Sequence, residues 1–181
     1  MATGLSRKLD YDDYLRLPDD GKRYEILDGE LYVAPVPTPL HQRVSKRLQR
    51  QLEDYFETRA LGEVFNAPID IIFGRHDVAQ PDLLVVTNPD QVAGRGIEGV
   101  PQLIVEVLSP STRRHDRDVK MLRYAVLSVP HYWIVDPEGK WVECFRLESS
   151  SYRHALTAEG DAQFTAPERP DLIISLADLW R

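Results

Sequence analysis

The spacing of apolar residues changes several times along the chain, and each change predicts an element. Leu9 to Leu17 reads as a short helix, capped by Asp10 and stopped by Pro18. Tyr24-Glu25-Ile26-Leu27 and Glu30-Leu31-Tyr32-Val33 flank an Asp28-Gly29 pair, the two-residue connection that a tight β-hairpin favours. Pro35 to Pro39 is a proline-rich loop, and Thr38-Pro39 fits the cap and first position of a helix running to about Arg59. Along that helix Leu40, Val44, Leu48, Leu52 and Tyr55 share one face, while Arg43, Lys46, Arg47 and Arg50 line the opposite one.

Strand patterns follow. Glu63 to Asn66 and Pro68 to Phe73 predict two strands, or one long bent strand interrupted at Ala67-Pro68. Pro81 to Val86 and Leu103 to Leu108 are β-branched and apolar on both faces, the pattern of central strands. The stretch between them, rich in Gly, Asn and Pro through Val100, reads as a mobile loop. Beyond Ser109-Pro110, Ser111 or Thr112 caps a helix reaching about Ser128, which Pro130 stops. Tyr132 to Val135 and Trp141 to Leu147 are strands joined by a turn at Asp136-Pro137-Glu138-Gly139. A C-terminal hairpin or short strands and a last helical turn near Leu176 to Trp180 complete the chain. The order predicts an α/β (α+β) fold, a mixed central β-sheet flanked by helices with an N-terminal hairpin.

Composition narrows the function classes. The 181 residues, 43% hydrophobic and 28% charged, describe one soluble globular domain without repeats or low-complexity tracts. No apolar run approaches the roughly 18 residues of a membrane span, and Met1 to Asp10 lacks the apolar centre of a signal peptide, so the expected location is cytoplasmic. A single cysteine, Cys144, excludes an intrachain disulfide, and its apolar strand context makes it a buried structural thiol. The five histidines are scattered without helical pairing, which argues against zinc. A net charge of -7 excludes coating nucleic acid by bulk electrostatics, though not a local basic stripe.

The chemistry lies in two carboxylates. Asp82 stands at the start of one apolar strand and Glu106 inside the other. Neighbouring strands run about 4.8 Å apart, so the two acids can converge. Unpaired, two charges about 4 Å apart repel by about 4 kcal/mol at an effective dielectric near 20. A divalent cation resolves that, and magnesium accepts one or two protein carboxylates with water completing its shell. Metal-assisted phosphodiester cleavage adds a cationic group near the attacking water. Lys120, in the helix after the Glu106 strand, is the candidate, although Asp116 four residues earlier offers it a simple surface salt bridge. Helical phase places Val119, Leu122 and Val126 opposite Lys120, so either Lys120 faces solvent or the helix is covered on more than one side.

Taken together, Arg23 to Leu31, Thr38-Pro39-Leu40-His41, Pro81-Asp82-Leu83, Val105 to Thr112, Asp116 with Lys120 and Tyr124, and Tyr132 to Pro137 resemble the bacterial Uma-two family, described as putative restriction endonucleases of the PD-(D/E)XK nuclease superfamily. The resemblance covers roughly Tyr24 to Leu147, setting a core over 23–147 between an N-terminal extension (1–22) and a C-terminal hairpin or tail (148–181). It implies a restriction-endonuclease-like core, Asp82 as the aspartate of the PD motif and Glu106 as the second acid. The superfamily lysine would stand two residues after that acid, where this chain has Leu108, so the matching lysine is displaced to Lys120. Glu25 becomes an auxiliary acid near the metal.

The expected activity is that of a Mg2+- or Mn2+-dependent endonuclease acting on DNA, with Asp82 and Glu106 holding the ion. His41, Arg43, Arg47, Arg117 and Tyr124 are the candidate substrate contacts, and Asp70 stays outside the site. A homodimer is expected, since cutting both strands usually takes two sites and Trp133, Trp141 and Phe145 exceed the aromatic needs of one sheet face. Two rivals remain: an inactive nucleic-acid-binding or interaction module on the same fold, and a hydrolase of small phosphoesters.

Overall fold

The computed structural model describes residues 7–181. The stretch read above for a signal peptide, Met1 to Asp10, falls partly on residues 1–6, which lie outside it. The first element is a single helical turn, α1 (Tyr11–Tyr14), where Asp10 and Asp13 exchange side-chain and backbone hydrogen bonds as a capping box. It is shorter than the Leu9 to Leu17 helix expected. β1 (Arg23–Leu27) and β2 (Glu30–Ala34) form the predicted hairpin, with Leu27 opposite Glu30. Its turn needs left-handed backbone at Asp28 (φ 53°) and Gly29 (φ 78°), a conformation glycine adopts without steric cost.

α2 (Pro39–Phe56) starts at Thr38, whose hydroxyl accepts from the His41 N–H, as the sequence predicts. It buries Val44, Leu48, Leu52, Tyr55 and Phe56, together with His41, while Leu40 is exposed. β3 (Glu63–Asn66) and β4 (Ile71–Gly74) are two strands in different sheets, which decides the alternative left open at Ala67-Pro68. β5 (Asp77–Ala79) and β6 (Leu83–Val86) follow.

The stretch expected as a loop up to Val100 instead carries β7 (Val92–Ala93) and β8 (Gly96–Glu98), and β8 pairs in parallel with β4. Gly96 permits this, because a Cβ there would stand 2.5 Å from the Asp70 carbonyl oxygen. The signal was hidden because these strands are two and three residues long.

β9 (Leu103–Val107) leads to a wide i→i+5 turn over His115–Lys120, continuous with α3 (Met121–Val126). The expected cap at Ser111 or Thr112 is not made: the Thr112 hydroxyl accepts from the Ser109 N–H, and the helical segment opens at His115 without a side-chain cap. β10 (His131–Asp136), β11 (Trp141–Glu148) and β12 (Ser151–Glu159) continue the chain. A small pair, β13 (Gln163–Thr165) and β14 (Ile173–Ser175), and α4 (Leu176–Trp180) end it.

The architecture is α+β, with two six-stranded mixed sheets ordered β2-β1-β5-β4-β8-β7 and β12-β11-β10-β9-β6-β3. The second sheet carries the apolar runs at its centre. One of its faces, with Leu83, Val85, Val105, Trp133 and Val135, packs against α2 and the C-terminal segment. The other, with Leu84, Ile104, Tyr132 and Ile134, packs against Leu27, Ile71 and Ile97 of the first sheet and Tyr124 of α3.

Phe164, Ala166, Leu172, Ile174, Leu176 and Leu179 belong to the α2-side core, so that core does not end at residue 147. Its final strand and plug come from the segment read as a tail. Trp133 is fully buried with its ring 5.6 Å from Phe164, Phe145 is buried, and Trp141 lies under the Arg117 guanidinium. These aromatic residues are used within the chain and do not supply a surplus for a dimer interface. Cys144 is free and buried, and burial pushes its thiol well above the usual range. Among the described residues no helix is long and apolar enough to cross a membrane.

Candidate active site

β6 and β9 are antiparallel neighbours with Leu83 opposite Val105, so extending the register by one residue sets Asp82 opposite Glu106. Strand alternation puts Asp82 on the side of Leu84 and Glu106 on that of Ile104, facing the layer between the two sheets. A third carboxylate arrives from the first sheet: Glu25 of β1 is buried and accepts from the Gln80 N–H at 2.8 Å. The fourth, Asp116, comes from the wide turn after β9.

Lys120 closes the cluster. Its ammonium lies 2.9 Å from Glu106 Oε1, 3.1 Å from Glu25 Oε1 and 3.9 Å from Asp116 Oδ1, and the residue is only 4% exposed. Lys120 does not face solvent, and the helix is covered on more than one side, though only in part. The i, i+4 line Asp116, Lys120, Tyr124 faces inward, and Val119, Met121 and Leu127 pack against the core, while Leu122 and Val126 are 71% and 63% exposed. The turn is widened at the same place, where the Met121 N–H reaches the Asp116 carbonyl five residues back. Tyr124, fully buried, donates its hydroxyl to Glu106 Oε1 at 3.1 Å.

One ammonium among three carboxylates leaves surplus negative charge, and the proton affinities follow. Burial, assisted by Asp116, Asp82 and Glu25 and opposed by Lys120, raises the Glu106 carboxyl well above its ordinary range. Burial likewise raises Asp116 to about 6. For Lys120 burial alone would lower the pKa, but Glu106, Glu25 and Asp116 override it and hold the ammonium charged.

Asp82 behaves oppositely. Burial would raise its pKa, yet the His41 ring, the Val107 N–H and the Lys120 charge together keep it below the usual range. Its Oδ2 is 2.9 Å from His41 Nε2 and accepts from the Val107 N–H at 2.9 Å, while Oδ1 has Arg23 at 3.8 Å.

A cavity of about 30 Å³ is bordered by Asp82, Glu106 and Lys120, with Arg23, His41 and Asp116 also on its wall. That is room for an ion or a water molecule or two. Among the described residues no three His, Cys, Asp or Glu side chains converge as a preformed metal cage. Magnesium does not require one: two hard carboxylates with open space for water fit its usual demand. Asp82 Oδ1, which has the Arg23 guanidinium at 3.8 Å, and Glu106 Oε2 accept no hydrogen bond from the described residues and are the oxygens that would be turned to such an ion.

Comparison with known proteins now bears on the arrangement. The profile of the family Uma2, described as "Putative restriction endonuclease", matches residues 11–177. The chain belongs to this Uma2 family. A protein of Synechocystis sp., described as uncharacterized protein slr1290, is 29% identical over 120 residues, 65% of this chain. The chain spans 63% of the length of that curated relative. The crystal structure of a protein from Anabaena variabilis, described as a putative nuclease belonging to DUF820, superposes with a TM-score of 0.77 at 19% identity, over 95% of this chain and 97% of the other. At that identity the likeness is one of fold.

Within this Uma2 chain the structure gathers Asp82, Glu106, Lys120, Glu25, His41 and Tyr124 in one place. The other expected contacts lie elsewhere. The Arg47 guanidinium donates to the Leu179 carbonyl at 2.9 Å, tying α2 to α4. Arg117 pairs with Glu143 and covers Trp141. Arg43 is exposed and, among the described residues, bonds only its own helix, at Pro39 O. Tyr124, at full burial, serves Glu106 and does not face a substrate. Asp70 takes hydrogen bonds from Tyr14 and Gln80, outside the site as expected.

Asp116 and Arg23 also line the cavity, although neither is among the candidate site residues. Asp116 stands one helical turn before Lys120, the spacing that puts the two on one face. Arg23 sits two residues before Glu25 on β1, so period-two alternation already placed both on one side of the hairpin.

Proposed function

We propose that the chain is a divalent-metal-dependent endonuclease that hydrolyses phosphodiester bonds in DNA. The observation that carries this reading is the placement of Asp82 opposite Glu106 on adjacent central strands, with Lys120 brought onto Glu106 from the following helix. Membership in the restriction-endonuclease family supports it. Asp82 and Glu106 would hold Mg2+ or Mn2+, which when bound polarises a phosphate oxygen and acidifies a water.

The chain's own residues do the rest. His41 and the Val107 N–H fix Asp82 in its ionised form. Lys120, held charged by its carboxylates, orients the attacking water and offsets charge developing on the phosphate. Glu25 and Tyr124 keep the lysine and Glu106 in register. The missing lysine at Leu108 is consistent with this, since Leu108 is buried on the same face and Lys120 supplies the cation from the helix instead. A homodimer would bring two such sites to the two strands of a duplex.

The test is cleavage of supercoiled plasmid and of linear DNA with Mg2+, Mn2+ or a chelator. Metal-dependent nicking or cutting that disappears in Asp82→Asn and Glu106→Gln supports the reading. DNA binding without cleavage under any divalent metal would favour the inactive binding module, and turnover confined to mononucleotide phosphoesters the small-molecule hydrolase.

A further inference from the structure

A second, larger hollow opens beside the catalytic cavity and shares Arg23, Pro37, His41 and Asp82 with it. Its volume is about 380 Å³, and it runs along one face of α2 towards the end of β3. From α2 it is lined by Gln42, Ser45, Lys46 and Gln49, which recur at helical spacing on one side of the helix, and from β3 by Asn66. No apolar side chain larger than proline takes part, which is unusual for a pocket meant for a small apolar ligand.

We infer that this groove binds a single strand of nucleic acid leading to the scissile phosphate, with phosphates on Arg23 and Lys46 and base or sugar edges on Gln42, Gln49 and Asn66. The inference rests on the nuclease reading above and adds to it where the substrate lies and how it is read.

Three features carry it. The groove leads directly to Asp82, so a strand lying in it passes the carboxylates. Its charged donors are few, Arg23 and Lys46, and its amides are groups that can recognise base edges: the Gln42 amide makes no side-chain hydrogen bond among the described residues and Gln49 keeps its carbonyl oxygen, while Gln49 Nε2 is held by Glu53 and Asn66 Nδ2 by the Ala67 carbonyl. At its far end Gln49 is bonded to the Glu53 carboxylate at 2.6 Å and lies 3.3 Å from Asn66 Oδ1, so an acidic group ends the phosphate track there. The size and the two cations fit one strand: a duplex typically engages on the order of six to ten phosphates, which this acidic chain does not supply here. Arg43 and Arg50, two members of the basic face of this helix, lie further round it and do not line the groove.

The experiment is fluorescence anisotropy with labelled single-stranded oligodeoxynucleotides, and a hairpin duplex of the same sequence, in EDTA so that binding is separated from cutting. Expected results are preferential binding of the single strand and a dependence of affinity on base composition. The logarithmic salt slope should be about -1.4, the value for two phosphates on a single strand. Joint Gln42→Ala, Gln49→Ala and Asn66→Ala substitution should weaken binding about tenfold or more and flatten the base preference. Arg50→Ala should leave binding unchanged. A steep salt slope removed by Arg50→Ala, or unchanged binding in the triple variant, overturns the groove. If such a variant still cuts DNA normally with metal, the nuclease reading stands without it. Groove-dependent binding in a protein that cuts nothing supports the groove and removes the nuclease.

Discussion

Lys120 Nζ and Glu106 Oε1, from residues 14 apart in the chain, stand 2.9 Å from each other with both side chains out of solvent. The pair is not balanced by itself, because Glu25 and Asp116 press on the same ammonium. Removing the lysine therefore leaves three buried carboxyl groups without a cation.

Lys120→Met should lower stability by about 3 to 5 kcal/mol, the usual cost of breaking a buried pair, and should do so more at high pH than at low. The sign follows from the carboxyl groups: Glu106 is raised and Asp116 lies at about 6, so below that pH they take up protons and relieve the repulsion, and above it they cannot. Thermal melts at two pH values measure this. Cleavage should fall by about a hundred- to ten-thousand-fold. Normal turnover by a folded Lys120→Met protein would remove the lysine from the mechanism.

Metal should act as a folding ligand. Mg2+ or Mn2+ at about a hundredfold excess over its dissociation constant would stabilise the wild type by about 2.7 kcal/mol, seen as a rise in Tm. In Asp82→Asn the rise should be much smaller, since one of the two carboxylates is gone. Equal shifts in the two proteins would count against Asp82 as a ligand.

The sequence made the two-stranded heart of the site legible because a carboxylate in a β-branched apolar run is conspicuous whatever surrounds it. The hairpin and α2 were legible too, through Asp28-Gly29 and Thr38-Pro39. Lys120 was suggested by its place in the helix after the Glu106 strand, reinforced by family likeness and obscured by pattern: a buried line of Asp116, Lys120 and Tyr124 violates the rule that the apolar face goes inward, and it survives only because the polar groups satisfy each other. The arginine stripe misled for a related reason. Periodicity places Arg47 on a face, but only the fold shows that α4 lies there and takes its hydrogen bonds.

His41 is the positioning residue for Asp82. With Nε2 at 2.9 Å it helps keep the carboxylate ionised, and it has no contact with Glu106 or Lys120 through a hydrogen bond among the described residues. His41→Ala should raise the Asp82 pKa back towards 3.8 or above, since burial is then less opposed. A depressed carboxyl contributes stability above its unfolded pKa and loses it as pH falls. The variant should therefore be less stable than wild type near neutrality, with the gap closing in acid. The acidic limb of its cleavage profile should move to higher pH, whereas a purely structural His41 would leave that limb in place.

Glu168 offers a check on the fold that does not touch the site. It lies in the segment that closes over the α2-side core, one carboxyl oxygen is buried without a partner among the described residues, and burial raises its pKa from 4.5 to about 7. A raised carboxyl contributes stability that is fully present below 4.5 and is lost as pH rises to about 7, up to about 3 kcal/mol for a shift of this size. Glu168→Gln keeps the shape and removes the titration. Its Tm should be close to wild type at acidic pH and higher than wild type at pH above 7, while metal-dependent cleavage measured at low temperature stays the same. A Glu168→Gln protein that melts below wild type across the whole range would show instead that the carboxylate is charged and paired in the native state.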